Sequence, residues 1–265
     1  MESTRGKAAR GAPALRRAGR AGGPALWLVH ALGDSGRSWE ALLATSLGSS
    51  FELLAPDWPG AGAVPAEPDV VDLDGLARWL ARLVARHSPA ARVGLVGHSL
   101  GAAAVVRATR RLGSGKVAGV FSIEGNLTAA DAYLSGLATA CDTALEYRDR
   151  LRARVRTLAE QASDGPREAL SRYHEALGQA APEPLWRIAR SAAAASRGDA
   201  LGEEYRALEV PTFYYWSREN TPEATRAYLA SHALHGAEFA GGHWPMIERP
   251  EETARAVADF FRPLA

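Results

Sequence analysis

Cysteine is nearly missing from this chain: among 265 residues only Cys141 carries a thiol. A disulfide within the chain is therefore impossible, and a zinc site built on thiolates has too few ligands. Cys141 reads as a small buried apolar residue. Long apolar runs are missing too; none approaches the roughly 18 residues that a membrane-spanning helix requires. Net charge is close to zero, at +1, which argues against a general nucleic-acid binder. There is no H-E-x-x-H, so no zinc-protease helix is implied. Gly113-Ser114-Gly115-Lys116-Val117 lacks the spacing and the following Ser or Thr of a phosphate-binding loop. The expectation is therefore no cofactor, no metal, no membrane and no nucleic acid, but a small-molecule substrate.

Basic charge is concentrated at the front. Residues 1–24 carry Arg5, Lys7, Arg10, Arg16, Arg17 and Arg20 against Glu2 alone, in an Ala- and Gly-rich setting. With no apolar stretch before Gly22 this is not a secretory signal, and a cytoplasmic location is expected. The composition predicts a disordered extension, or a start codon placed too early.

What is present is a core-forming sequence, 47% hydrophobic and 23% charged, sized for one domain or one domain with an insertion. Ala25-Leu26-Trp27-Leu28-Val29 reads as a buried parallel strand between glycine-rich turns. Ser38 is expected to cap a helix running to Leu47. A second strand is expected over 51–55, a helix over 73–87 from its apolar spacing, and further strands over 93–97, 117–123 and 210–216. A helix from about 222, a short strand near 237–239 and a helix over 250–261, opened by Pro250 with Glu251 and Glu252, complete the chain. Between 126 and 208 no strand-like run occurs, and several inserted helices are expected, forming a cap. Arg148, Arg150, Arg152, Arg154 and Arg156 should splay around one of them as a solvated surface. Alternating strands and helices mean an α/β fold with a mostly parallel sheet covered on both faces. The core is expected over 25–125 and 209–265.

One stretch carries chemistry. In Gly97-His98-Ser99-Leu100-Gly101 a buried strand runs into a G-x-S-x-G turn and at once into an alanine-rich helix. The motif also arises in ordinary glycine-rich loops. Here the strand–turn–helix context is that of a nucleophile elbow, with Ser99 projecting from the top of the sheet. A serine hydroxyl needs a base, and the base an orienting acid. His243 follows the last strand in Gly241-Gly242-His243-Trp244-Pro245 and so can reach the sheet edge where Ser99 lies; the alternative is a loop histidine held by packing. Glu124 ends an apolar strand, where an unpaired charge would be costly, which makes it a candidate acid. Tyr214 and Tyr215 read as strand core, Trp216 as core or pocket mouth, and Trp39 and Trp244 flank the proposed site.

From about Gly23 onward the chain resembles the α/β-hydrolase superfamily, most closely its lid-bearing esterase and peptidase-like branch. The matches are His30-Ala31-Leu32-Gly33, Asp57-Trp58-Pro59-Gly60-Ala61-Gly62, the Ser99 elbow and Gly242-His243-Trp244-Pro245. The resemblance implies an oxyanion hole from the N–H groups of Leu32 and Leu100. Ala31 stands where the family usually has Gly. The family's usual acid position, in Ser217-Arg218-Glu219-Asn220-Thr221-Pro222, falls on Asn220, leaving Glu219 one residue away as the rival of Glu124. A branch of the haloalkane dehalogenases is similar in carrying its acid at the Glu124 position. Their activity does not carry over, because their nucleophile is a carboxylate. The implied activity is a serine hydrolase cleaving an ester or related acyl bond of a small, largely apolar substrate through an acyl-enzyme. A peptidase or C–C bond hydrolase would use the same triad. The contrasting class is a low-turnover ligand-binding or receptor-like protein, and reactivity of Ser99 separates the two.

Overall fold

The computed structural model of the protein describes residues 15–62, 64–89 and 92–264. Among the described residues, seven strands form one sheet: β1 (Leu15–Gly19), β2 (Ala25–Val29), β3 (Glu52–Pro56), β4 (Val93–His98), β5 (Val117–Ile123), β6 (Thr212–Ser217) and β7 (Gly236–Phe239). Their spatial order is β1-β3-β2-β4-β5-β6-β7. All pairings are parallel except β1 with β3. The apolar runs of β2, β4 and β5 are buried along their whole length, as a sheet covered on both faces demands. The chain leaves β2 for β3 on one side and returns to place β4 on the other. The strand ends of β2 and β4 therefore flank a switch point, where open α/β sheets bind ligands.

Strand β1 corrects the expectation of disorder through residue 24; residues 1–14 lie outside the described residues. Arg16 reaches the buried Asp57 at 2.8 Å and Arg17 reaches Glu52 at 3.3 Å, so these two arginines are paired with carboxylates that come later in the chain. Asp57 also accepts from the Gly36 N–H at 2.6 Å.

The helix expected after Ser38 is short. Ser35 caps a 3-10 turn over Gly36–Trp39, and α1 covers only Glu40–Leu43. Helix α2 (Leu73–His87) starts where the Asp72 carboxylate accepts from the Gly75 N–H at 2.6 Å, a cap worth about 1 kcal/mol. It packs on α3 (Leu100–Leu112). Between β5 and β6 lie three short 3-10 turns, four α-helices and no strand: the α-helices are α4 (Ala144–Gln161), α5 (Asp164–Gln179), α6 (Pro182–Ala195) and α7 (Ala200–Arg206). Asp164-Gly165-Pro166 and Pro182-Glu183-Pro184 are the first turns of α5 and α6, since proline fits where the N–H has no helical partner. Tyr147, Leu151, Val155 and Ala159 form the buried stripe of α4. Arg148 and Arg152 flank it and are half-buried along their stems, whereas Arg150, Arg154 and Arg156 are exposed. Helices α8 (Glu223–Ser231), α9 (Pro245–Glu248) and α10 (Pro250–Phe261) follow, and α1 packs with α9 and α10. Cys141 is buried, as expected. No described helix is long and apolar enough to cross a membrane.

Candidate active site

Strand β4 ends in a forced turn. Ser99 has φ 53° and ψ −125°, a conformation that costs on the order of 1–3 kcal/mol and persists only where the surroundings impose it. They do so through the absence of two side chains. A Cβ on Gly97 would strike the backbone of Ala102, and one on Gly101 would strike the carbonyls of Val29 and His30. The Ser99 N–H continues the sheet to Ile123 O at 2.9 Å, and its carbonyl accepts from Ala102 at 2.9 Å. The serine is half-buried while its neighbours His98 and Leu100 are buried.

The loop after β2 reaches the same place. His30 is fully buried, with Nδ1 donating to Ala31 O at 2.8 Å and Nε2 accepting from the Trp58 N–H at 3.3 Å. Burial lowers its pKa to about 4, so it is a neutral, structural imidazole. The positive φ of this loop falls on Gly33, at 71°, and not on Ala31, so the methyl group of Ala31 brings no backbone strain. Helix α5 holds the loop from above: Tyr173 donates to Leu32 O at 2.7 Å. A cavity over Ser99 is lined by Ala31, Leu32, Leu100, Tyr133, His243 and Trp244, among others.

His243 follows β7 and is 8% exposed. Its Nδ1 lies 3.3 Å from Glu124 Oε2. Glu124 is the residue after β5, itself at φ 48°, and its N–H bonds Tyr215 O at 2.9 Å. The carboxylate is buried and accepts at Oε1 from the Ser217 N–H at 2.5 Å and Thr221 Oγ1 at 2.6 Å. At Oε2 it accepts from Asn220 Nδ2. With its proton on Nδ1, His243 adds a second donor to Oε2, and the 2.9 Å between Asn220 Nδ2 and His243 Nδ1 follows from that shared acceptor. Every donor around Glu124 thus fixes its carboxylate rather than competing for it. Glu219, the rival by position, is exposed, and its own N–H is turned to Ser217 Oγ at 3.2 Å.

His98 points away from Ser99, as its place in the turn requires, and Nε2 bonds the His243 carbonyl at 2.8 Å. Burial, then the nearby His243, keeps its pKa well below the usual value, so the neutral ring holds the backbone of the His243 loop. Trp244 Nε1 donates to Asp34 at 3.3 Å, tying the same loop to the one after β2. Burial raises the Asp34 pKa to about 6. Trp39 is wholly buried, and Trp216 lies under the Arg218 guanidinium at 5.8 Å. The structure therefore brings Ser99, His243, Glu124, Leu32 and Leu100 to one edge of the sheet. Ser217, Thr221, Tyr133 and Tyr173 belong to the same cluster but carry no sequence motif; only the departure at Asn220 pointed to the loop that holds two of them.

A sequence profile of the alpha/beta hydrolase family matches residues 28–256. The chain belongs to that family. The chain is similar to a probable esterase, PIR7A, of Oryza sativa subsp. indica, at 36% identity over 101 residues, which spans 38% of this chain and 38% of that protein. Its fold matches a thermophilic esterase of Thermogutta terrifontis with a TM-score of 0.69 and 22% identity, covering 95% and 93% of the two chains. It matches the N-acyl homoserine lactonase AidH with a TM-score of 0.72 and 16% identity, covering 95% and 93%. At such identities the structural matches speak for the fold alone. The chain is thus an alpha/beta hydrolase-family protein with esterase-like relatives.

Proposed function

We propose that this hydrolase is a cytoplasmic serine esterase, cleaving an ester or related acyl bond of a small, largely apolar substrate without a cofactor. The observation that carries the reading is the line from Glu124 Oε2 to His243 Nδ1, 3.3 Å long, ending at a ring that borders the cavity over the strained Ser99. Ser99 Oγ attacks the carbonyl carbon while His243 Nε2 takes its proton. The N–H groups of Leu32 and Leu100 receive the charge that develops on the carbonyl oxygen, a contribution of about 3 kcal/mol per donor in comparable sites. The tetrahedral species collapses, the C–O bond to the leaving group breaks, and the alkoxide leaves with the proton from His243. Water then attacks the acyl-enzyme with His243 again as base, releasing the acid and restoring Ser99. Glu124 orients His243 and stabilises the imidazolium throughout. The helices between residues 126 and 208 act as a cap that limits water over the site.

Covalent labelling by a fluorophosphonate tests this reading. The native protein should label, Ser99→Ala should not, and Glu124→Gln should label far more slowly. A folded native protein that does not label is a binding protein on a hydrolase scaffold, and a ligand screen would replace the substrate screen.

A further inference from the structure

His243 borders a second space. Beyond the Ser99 cavity, of only about 20 Å³, lies a wider pocket of about 410 Å³ between α4, α5 and the His243 loop. Its inner wall is apolar, from Leu134, Val155, Leu158, Pro166 and Leu170. Its charged members, Arg154 and Glu219, are exposed and so mark the solvent end.

Four residues line both spaces and form the partition: Tyr133, Leu134, His243 and Trp244. His243 and Trp244 are buried and tied down, the first to Glu124 and the second to Asp34. Tyr133 differs. The residue is 44% exposed, and its ring stands edge-on to His243, centroids 6.4 Å apart. Its hydroxyl is hydrogen-bonded with the Asn220 side chain. The backbone beneath it is fixed, because Asp131 accepts from the N–H groups of Leu127 and Thr128 at 2.9 and 2.8 Å and from Thr225 of α8 at 2.7 Å. Motion is left to the side chain, anchored at one end only.

We infer that Tyr133 is a specificity gate between the Ser99 cavity and the wider pocket, and that this pocket receives the alkyl chain of a medium- or long-chain acyl substrate. The inference rests on the serine-hydrolase reading. It also gives Asn220 a purpose. An amide donates to Glu124 and still meets the Tyr133 hydroxyl, whereas a carboxylate there would set a second negative charge against Glu124. The gate is thereby hung from the residue that holds His243.

The test is the rate of Ser99 phosphonylation by two p-nitrophenyl alkylphosphonates, ethyl and octyl, read as the octyl-to-ethyl ratio. Tyr133→Ala should raise that ratio tenfold or more, and Tyr133→Phe, which keeps the ring and drops the anchor, by less. Leu158→Trp, which fills the pocket, should lower the ratio, and circular dichroism checks that each variant is folded. An unchanged or lower ratio in folded Tyr133→Ala overturns the gate while leaving the serine reading intact. Failure of both reagents to label the native Ser99 overturns both; octyl alone failing gives a ratio of zero, which Tyr133→Ala must raise.

Discussion

Two strand ends in this molecule use the same backbone device for opposite purposes. Ser99 after β4 and Glu124 after β5 are both non-glycine residues at positive φ, 53° and 48°, on neighbouring parallel strands. Each continues the sheet ladder through its N–H before the chain turns away. At Ser99 glycines clear the space and the side chain faces a cavity. At Glu124 the side chain is closed in by Ser217, Asn220, Thr221 and His243. Strain thus aims both groups; on the proposed reading one is left open for bond-making and the other is saturated so that it holds still. The difference teaches that a positive-φ outlier marks a strand end held in place without saying for what; the hydrogen-bond surroundings separate the two.

The largest expected effect comes from removing the open end. Ser99→Ala should lower ester hydrolysis by about 10⁴-fold or more and leave the melting temperature within a few degrees of native. Glu124→Gln attacks the closed end and should act on two readouts together. The rate should fall by about 10²–10⁴ through loss of the charge behind His243, and stability by about 1–3 kcal/mol, because an amide cannot accept from all its neighbours. A melt of Glu124→Gln equal to native would show that the saturation has no energetic weight.

Adding Asn220→Asp to Glu124→Gln sharpens the contrast. The new carboxylate would stand on the other neighbour of His243 Nδ1, 2.9 Å away, and should recover about tenfold of the rate lost in the single variant. No recovery would mean that the β5 strand end, and not merely a charge beside the ring, is required.

The smallest effect concerns the floor under the open end. Folded His30 has a pKa of about 4 against 6.5 when exposed, so on acidification the unfolded chain takes up the proton first. Its contribution to stability is complete above pH 6.5 and is lost as the pH falls through about 4. Between pH 7 and pH 5 that amounts to roughly 2 kcal/mol. Asp34 opposes it: its raised value of about 6 means that the folded chain keeps a proton that the unfolded chain releases, so its contribution fades as pH rises through 6. Urea midpoints across this range should fall less steeply on acidification in His30→Gln than in the native chain.

Much of this was legible in the sequence because the relevant physics is local. The 97–101 elbow announces itself through two glycines whose missing side chains are indispensable. Helices α2 and α10 and strand β5 begin and end where spacing and caps place them. Glu124 could be picked out because a carboxylate ending an apolar strand demands partners. What sequence could not show depends on distant residues. Arg16 finds Asp57 across 41 positions, and Tyr173 finds Leu32 across 141. Nothing in either neighbourhood signals the other. The helical insertion likewise gives its amphipathic period but not which tyrosine meets the site.

Strand β1 has a practical consequence. It occupies the hydrogen-bonding flank of β3 and supplies the counter-ion to Asp57, which is only 2% exposed. Trimming the arginine-rich front as dispensable would bare a row of peptide groups ready to zip onto another molecule, and would strand a buried charge beside the 3-10 turn that Ser35 caps. A shortened protein starting at Gly23 should precipitate on concentration where the longer one stays dispersed, so any affinity handle belongs ahead of Leu15.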